Sequence, residues 1–166
     1  MKPSKSKLEV ALKWIVNILI KHNVPYQISG GFGVHLYGGT RPVNDIDIDI
    51  PNKKFKDILS EINKYITFGP ARYLDEKWDL DLITLDYHGQ IIDLSGSFGA
   101  KIFDERKKVW QSFPSNFETA RLINVYGIKV SVMNHKDLIA YKKLLNGLHQ
   151  KEDIVALQNY SEMIRA

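Results

Sequence analysis

Three aspartates at positions 45, 47 and 49 alternate with isoleucines at 46, 48 and 50. This is the period-two pattern of a half-buried β-strand, which sends the three carboxylates to one face with about 6.6 Å between successive α-carbons on that face. Ionised carboxylates so close repel one another, and each loses hydration when neighbouring chain closes over it. A hard divalent cation resolves that conflict. Magnesium is usually held by one or two carboxylates together with substrate phosphates, and aspartates at i and i+2 supply that arrangement. Where two ions sit about 3.5 to 4 Å apart, one activates an attacking oxygen and the other steadies the leaving group. The same alternation also suits an ordinary strand with a solvated face, although aspartate is depleted in strands. A calcium loop fits poorly, because Ile50-Pro51 follows where such a loop needs glycine.

Upstream, Ser29-Gly30-Gly31 ends a short apolar segment and opens a helical one. Free amides at a helix N-terminus, approached without side chains in the way, suit phosphate oxygens. Two glycines after a strand also suit a plain tight turn, and neither the dinucleotide-fold glycine spacing nor a Walker lysine is present. Arg41 leaves the loop between the glycines and the aspartates, where it can neutralise a polyphosphate or simply be solvated. The five histidines show no ligand spacing, and the chain has no cysteine, which excludes disulfides, thiolate zinc and cysteine nucleophiles.

The elements that must position these groups are readable from periodicity. Leu8, Leu12, Ile15, Val16 and Leu19 predict a first helix capped by Ser6 with Glu9, and Tyr26 to Ser29 a first strand. A short helix over Phe32 to Tyr37, the aspartate strand and an amphipathic helix over Phe55 to Tyr65 follow. Leu80 to Leu85 and Gln90 to Leu94 predict a hairpin, as do Arg121 to Val125 and Ile128 to Val132, with Phe103 to Phe113 read as helical between them. Asn134 caps a helix running to about Asn146, and Gln150 to Ile164 makes the last one. The order predicts an α+β domain, a mixed sheet flanked by helices, spanning residues 1–166 with a C-terminal helical segment from about 134.

A strand ending in Gly-Gly, a short helix, a Thr-Arg loop and Asp-x-Asp on the next strand resemble the nucleotidyltransferase superfamily typified by DNA polymerase beta. The stretch GGFGVHLYGGTRPVNDIDIDI, Gly30 to Ile50, is similar to the small lincosamide nucleotidyltransferases. The C-terminal stretch around Asp137 to Lys142 and Lys151 to Ile154 looks more like abortive-infection toxin-type members. The resemblance implies two magnesium ions, a nucleoside triphosphate substrate, and transfer of its monophosphate to a hydroxyl of a small antibiotic-like molecule or an RNA. By position it implies that Ser29, Gly30 and Gly31 hold the triphosphate, and that Asp45 and Asp47 hold metal. A third carboxylate is implied on a later strand with apolar flanks, which Asp93 in Ile91-Ile92-Asp93-Leu94 matches better than its rival Asp81. Asp93 would share a catalytic ion and take the acceptor's proton. Asp49 then reads as an electrostatic neighbour or a solvated residue. Lys142 reads as a phosphate contact or, more simply, as a surface lysine. His35 departs from the acidic residue expected in the short helix of the lincosamide enzymes.

Net charge is +4 over 166 residues, compatible with a polyanionic substrate. Cytoplasmic placement is expected: there is no apolar run of membrane-spanning length, and the polar opening residues do not read as a leader. An antitoxin or a second copy are the partners such a protein would have. The alternative is a catalytically silent nucleotide- or RNA-binding regulatory protein of the same fold. A degenerate member should lack one of the three site carboxylates, and Asp45, Asp47 and Asp93 are all present.

Overall fold

The computed structural model describes residues 4–166, so part of the opening stretch read for a leader lies outside the described residues. The element order is α1 (Lys7–Lys21), β1 (Gln27–Ser29), α2 (Gly30–Leu36), β2 (Asp45–Ile50), α3 (Phe55–Ile62), β3 (Ile66–Leu74), β4 (Trp78–Tyr87), β5 (Gln90–Gly96), β6 (Lys101–Asp104), β7 (Val109–Ser112), β8 (Arg121–Val125), β9 (Ile128–Val132), α4 (His135–Leu144) and α5 (Leu148–Arg165). The strands form one sheet in the order β7-β6-β4-β5-β2-β1-β9-β8, with β3 also pairing β4. β2 and β5 run parallel, as do β1 and β9, while the remaining pairs are antiparallel. The sheet is therefore mixed, as expected.

Alternation along β2 sets the layering. Ile46, Ile48 and Ile50 are fully buried, in one core with Leu12, Ile15 and Leu19 of α1 and Ile58 and Ile62 of α3. Burying each such side chain is worth about 1.5 to 3 kcal/mol, which fixes the register and leaves the aspartates on the opposite face. Local signals place the ends. Ser6 Oγ accepts the Glu9 N–H at the start of α1, and Asn134 Oδ1 accepts the Lys136 N–H at the start of α4. The β4–β5 hairpin turns through His88 and Gly89, and β8–β9 through Tyr126 and Gly127, all four at positive φ.

Two segments differ from expectation. Phe103 to Phe113 is not helical but contributes the β6–β7 hairpin. Asp104 Oδ1 accepts the N–H groups of Arg106 and Lys107 and closes a turn, and such local side-chain bonds compete with helix. The segment Ile66 to Leu74 is a strand that the sequence reading left out. Gly69-Pro70 argues against a regular strand, and the register of β3 on β4 is accordingly broken at Ile66/Phe68 and Phe68/Ala71, the irregular edge pairing where proline is tolerated. Among the described residues no helix is long and apolar enough to cross a membrane.

Candidate active site

Strand registers bring the polar side chains together. Ser29 on β1 lies opposite Asp47 on β2, Asp47 opposite Asp93 on β5, and Asp93 opposite Thr84 on β4. Neighbouring strands stand about 4.8 Å apart, so these four residues form a row across the sheet. All four line a cleft of about 600 Å³. Its far wall comes from the C-terminal helices, with Tyr141 and Lys142 of α4 and His149 and Gln150 of α5. Gln150 Oε1 is buried there without a hydrogen-bond partner.

The row is electrostatically uncomfortable. Burial first, then the like charges of Asp93, Asp45 and Asp49, push Asp47 up to about 7, with Lys142 pulling weakly the other way. Burial also raises Asp93, opposed by the Thr84 hydroxyl, which donates to Asp93 Oδ1 at 2.6 Å, and reinforced by Asp45. Asp45 itself sits at the exposed start of β2, outside the cleft lining but close enough to act on both. Asp49 is neither solvated nor free: it accepts from Gln27 Nε2 at 3.1 Å, Ser29 Oγ at 3.2 Å and Ser115 Oγ at 3.0 Å, and these bonds counter the upward pull of burial.

Gly30 is held at φ +61, and a β-carbon there would stand 2.0 Å from Asp47 Oδ2. Only glycine permits the backbone to approach the carboxylate so closely. Gly31 is open on that side, with the Arg41 guanidinium 3.8 Å from where its β-carbon would be.

Arg41 does not line the cleft and is engaged with Asp153 on α5, its Nε and Nη2 each donating at 2.8 Å. Lys142 is not a surface lysine. Its side chain is 6% exposed, and Nζ lies 2.9 Å from Asp153 Oδ2, the oxygen that Arg41 Nη2 also reaches. The pair of cations holds Asp153 below the usual carboxylate range against its burial. The cluster carries one more positive than negative charge, and Lys142 presents it to the cleft. Asp81, the rival to Asp93, is absent from the cleft lining and takes the Asn52 amide at 2.6 Å. Thr84, Tyr141 and Gln150 line the cleft without any signal in the motif spacing, while Lys142, read from sequence as a phosphate contact or a surface lysine, lines it as a buried ion-pair partner.

Among the described residues no group of three or more His, Asp or Glu is arranged to hold a metal by itself. The donor set nonetheless suits magnesium, because Asp47 and Asp93 face each other across one strand pair, both pushed toward protonation by burial and like charge, and magnesium needs only one or two carboxylates beside phosphates and waters.

No curated relative matches the chain by sequence. Solved structures share the fold. A protein from Thermotoga maritima assigned as a nucleotidyltransferase is 20% identical, with a TM-score of 0.67 over 92% of this chain and 91% of its own. The lincosamide antibiotic adenylyltransferase LnuA, bound to lincomycin, is 15% identical, with a TM-score of 0.60 over 95% and 99% of the two chains. ANT(2'')-Ia in complex with adenylyl-2''-tobramycin is 14% identical, with a TM-score of 0.63 over 96% and 94%. The aminoglycoside-2''-adenylyltransferase family profile matches residues 11–153, most of the chain and every residue of the row. A sheet that aligns Ser29, Asp47 and Asp93 beneath a glycine-opened helix is thus seen in a chain that belongs to the aminoglycoside-2''-adenylyltransferase family and is a nucleotidyltransferase.

Proposed function

We propose that the protein transfers AMP from ATP to a hydroxyl of a small molecule of the antibiotic kind, with release of pyrophosphate. The observation that carries this reading is the row Ser29, Asp47, Asp93 across β1, β2 and β5, in the cleft that Gly30 and Gly31 open. Ser29 and the amides of Gly30 and Gly31 bind the triphosphate, and Lys142 balances its charge from α4. Asp45, Asp47 and Asp93 would hold magnesium, two ions in the full site, which would supply charge neutralisation at the α-phosphate and at the leaving pyrophosphate.

Asp93, oriented by Thr84, lies nearest the β4 side, from which an acceptor can reach the row. The acceptor oxygen attacks the α-phosphorus and passes its proton to the Asp93 carboxylate, as the bond from that phosphorus to the bridging oxygen breaks and the electron pair leaves with pyrophosphate. Arg41 acts at one remove, by holding Asp153 and through it Lys142.

The test is release of pyrophosphate from each labelled nucleoside triphosphate with magnesium and a panel of hydroxyl acceptors, repeated with Asp47→Asn. Metal-dependent transfer that falls by roughly three orders of magnitude in the variant, with the fold intact by circular dichroism, supports the reading. Nucleotide binding that ignores magnesium and survives substitution of both Asp47 and Asp93 refutes it.

A further inference from the structure

Among the described residues, three side chains bury polar atoms that meet no hydrogen-bond partner: Gln27, His135 and Gln150. Of these only Gln150 lines the cleft. It is 7% exposed, and the two ends of its amide are unequal. Nε2 stands 2.9 Å from His149 Nε2, and since an amide nitrogen can only donate, the imidazole nitrogen accepts. Oε1 is left as an acceptor with no donor. A buried carbonyl in that state costs free energy in the protein alone, and a ligand that brings an N–H or O–H to it recovers the loss.

Its place on α5 decides which part of a ligand it meets. Gln150 and Asp153 stand three residues apart and so share one face of the helix, and Asp153 is the residue that takes both Lys142 and Arg41. Arg41 Nη2 in turn lies 3.8 Å from where a β-carbon of Gly31 would be, and α4 and α5 both pack against α2. This is the end of the row where the glycines open the cleft, and β4, from which an acceptor reaches Asp93, lies at the other end. A nucleotide with its phosphates on Gly30 and Gly31 and facing Lys142 therefore has the α4–α5 wall beside its nucleoside.

Resting on the reading that the cleft takes a nucleoside triphosphate, we propose that Gln150 is the residue that reads the nucleoside. Its Oε1 accepts a hydrogen bond from a donor there, the exocyclic amine of the base or a hydroxyl of the sugar. Selectivity follows from the partner on the other end of the amide. With Nε2 given to His149, Gln150 offers the ligand an acceptor only, so a nucleotide that lacks the matching donor leaves the carbonyl buried and unpaired. Gln150 takes no part in the transfer step itself. It sets which nucleotide is held.

The test crosses one substitution with three nucleotide analogues. Binding of ATP, of purine riboside triphosphate, which lacks the exocyclic amine, and of 2'-deoxyATP and 3'-deoxyATP is measured by calorimetry with magnesium. Full-length wild type is compared with Gln150→Met, which keeps the length of the side chain and removes the carbonyl. The variant is expected to bind ATP roughly 10-fold more weakly. Wild type should lose about as much with one of the analogues, and that loss should not add to the loss in the variant, which names the donor as base or sugar. The KM for the acceptor at saturating ATP should stay unchanged, and the variant without ligand should melt no lower than wild type, having shed an unpaired carbonyl. Losses that add for all three analogues overturn the proposal, as do unaltered ATP affinity, a change confined to the acceptor KM, and a variant that melts lower and binds every nucleotide equally poorly. In each of these cases magnesium-dependent ATP binding that Asp47→Asn abolishes leaves the nucleotidyltransferase reading standing, whereas absence of such binding in wild type sinks both.

Discussion

Two side chains show how tightly chemistry constrains single positions. At Gly30 a methyl group would collide with the Asp47 carboxylate at 2.0 Å and would also have to occupy φ +61. The backbone cost alone is about 1 to 2 kcal/mol. Gly30→Ala is therefore expected to lower stability by that amount or more in urea titration and to reduce nucleotidyl transfer by at least 100-fold, because Asp47 must swing out of line with Asp93. Asp47 itself trades stability for function. Its carboxyl is raised from 3.8 to about 7 by burial and by Asp93, Asp45 and Asp49. Below pH 4 it is protonated whether the chain is folded or not. Between pH 4 and 7 the unfolded chain releases this proton while the folded one retains it, so stability falls as pH rises through that window. Each tenfold change in proton affinity is worth about 1.4 kcal/mol. Asp47→Asn, which cannot ionise, is expected to flatten this part of the melting profile and to raise the melting temperature of the ligand-free protein at pH 8, while abolishing turnover. A variant that melts lower than wild type at pH 8 would show that the carboxylate is not under strain. The motif made Asp47 readable from sequence, but not Asp49 as a clasp, because its partners Gln27 and Ser115 lie 22 and 66 residues away.

At the scale of elements, positions set by nearest neighbours along the chain were readable, and those set by distant packing were not. The two-residue turn at His88-Gly89 fixes the β4–β5 register, and that register alone places Thr84 opposite Asp93. The sequence reading ends the first strand at Leu85, two residues before the Tyr87–Gln90 pair that closes the turn, so this contact was not anticipated. The β6–β7 hairpin was not anticipated either, because Phe103, Val109, Trp110 and Phe113 satisfy a helical spacing as well as a strand spacing, and the decision falls to the turn bonds of Asp104 and to pairing with Trp78. Nor was the burial of Lys142, whose helix has a lysine at 143 as well: only the docking of α5, which brings Asp153 to 2.9 Å, buries one of the two. The Arg41–Asp153–Lys142 cluster is what joins the loop after α2 to both C-terminal helices. Removing its single anion leaves two cations, one of them 6% exposed, without a partner. Asp153→Ala is expected to cost about 3 to 5 kcal/mol in chemical denaturation. Asp153→Asn, which keeps the hydrogen-bonding shape, should lose less stability yet raise the KM for ATP, since Lys142 is then no longer held in place.

Taken across the whole molecule, the sheet is a device for holding like charges on one face while its other face supplies the stability. Ile46, Ile48 and Ile50 of β2, Ile83 and Leu85 of β4, and Ile92 and Leu94 of β5 lie in the core with α1 and α3, and the same strands present Asp47, Asp93 and Thr84 to the cleft. The opposition follows from a period of two, which made the facing of Asp45, Asp47 and Asp49 readable from one six-residue stretch, whereas the mixed sheet was read from the element order of the whole chain and Asp93 from the family resemblance. It also predicts how the molecule responds to its ligands. Magnesium alone meets two facing carboxylates and an exposed third, too few for tight binding, and ATP alone brings more negative charge to a face that already carries it. Bound together, each removes the other's penalty, so their effects on stability should exceed the sum of the separate ones. At saturation near 100 times Kd the gain is about 2.7 kcal/mol, which for a domain of this size raises the melting temperature by roughly 5 to 10 °C. Differential scanning fluorimetry with magnesium, with ATP, with both, and with both plus chelator is expected to show a large shift only in the third case. The Asp47→Asn protein should show none, because its row no longer has a charge conflict for the ion to relieve. A full shift with ATP and chelator would mean that the triphosphate is held by Lys142 and backbone amides without help from the aspartates.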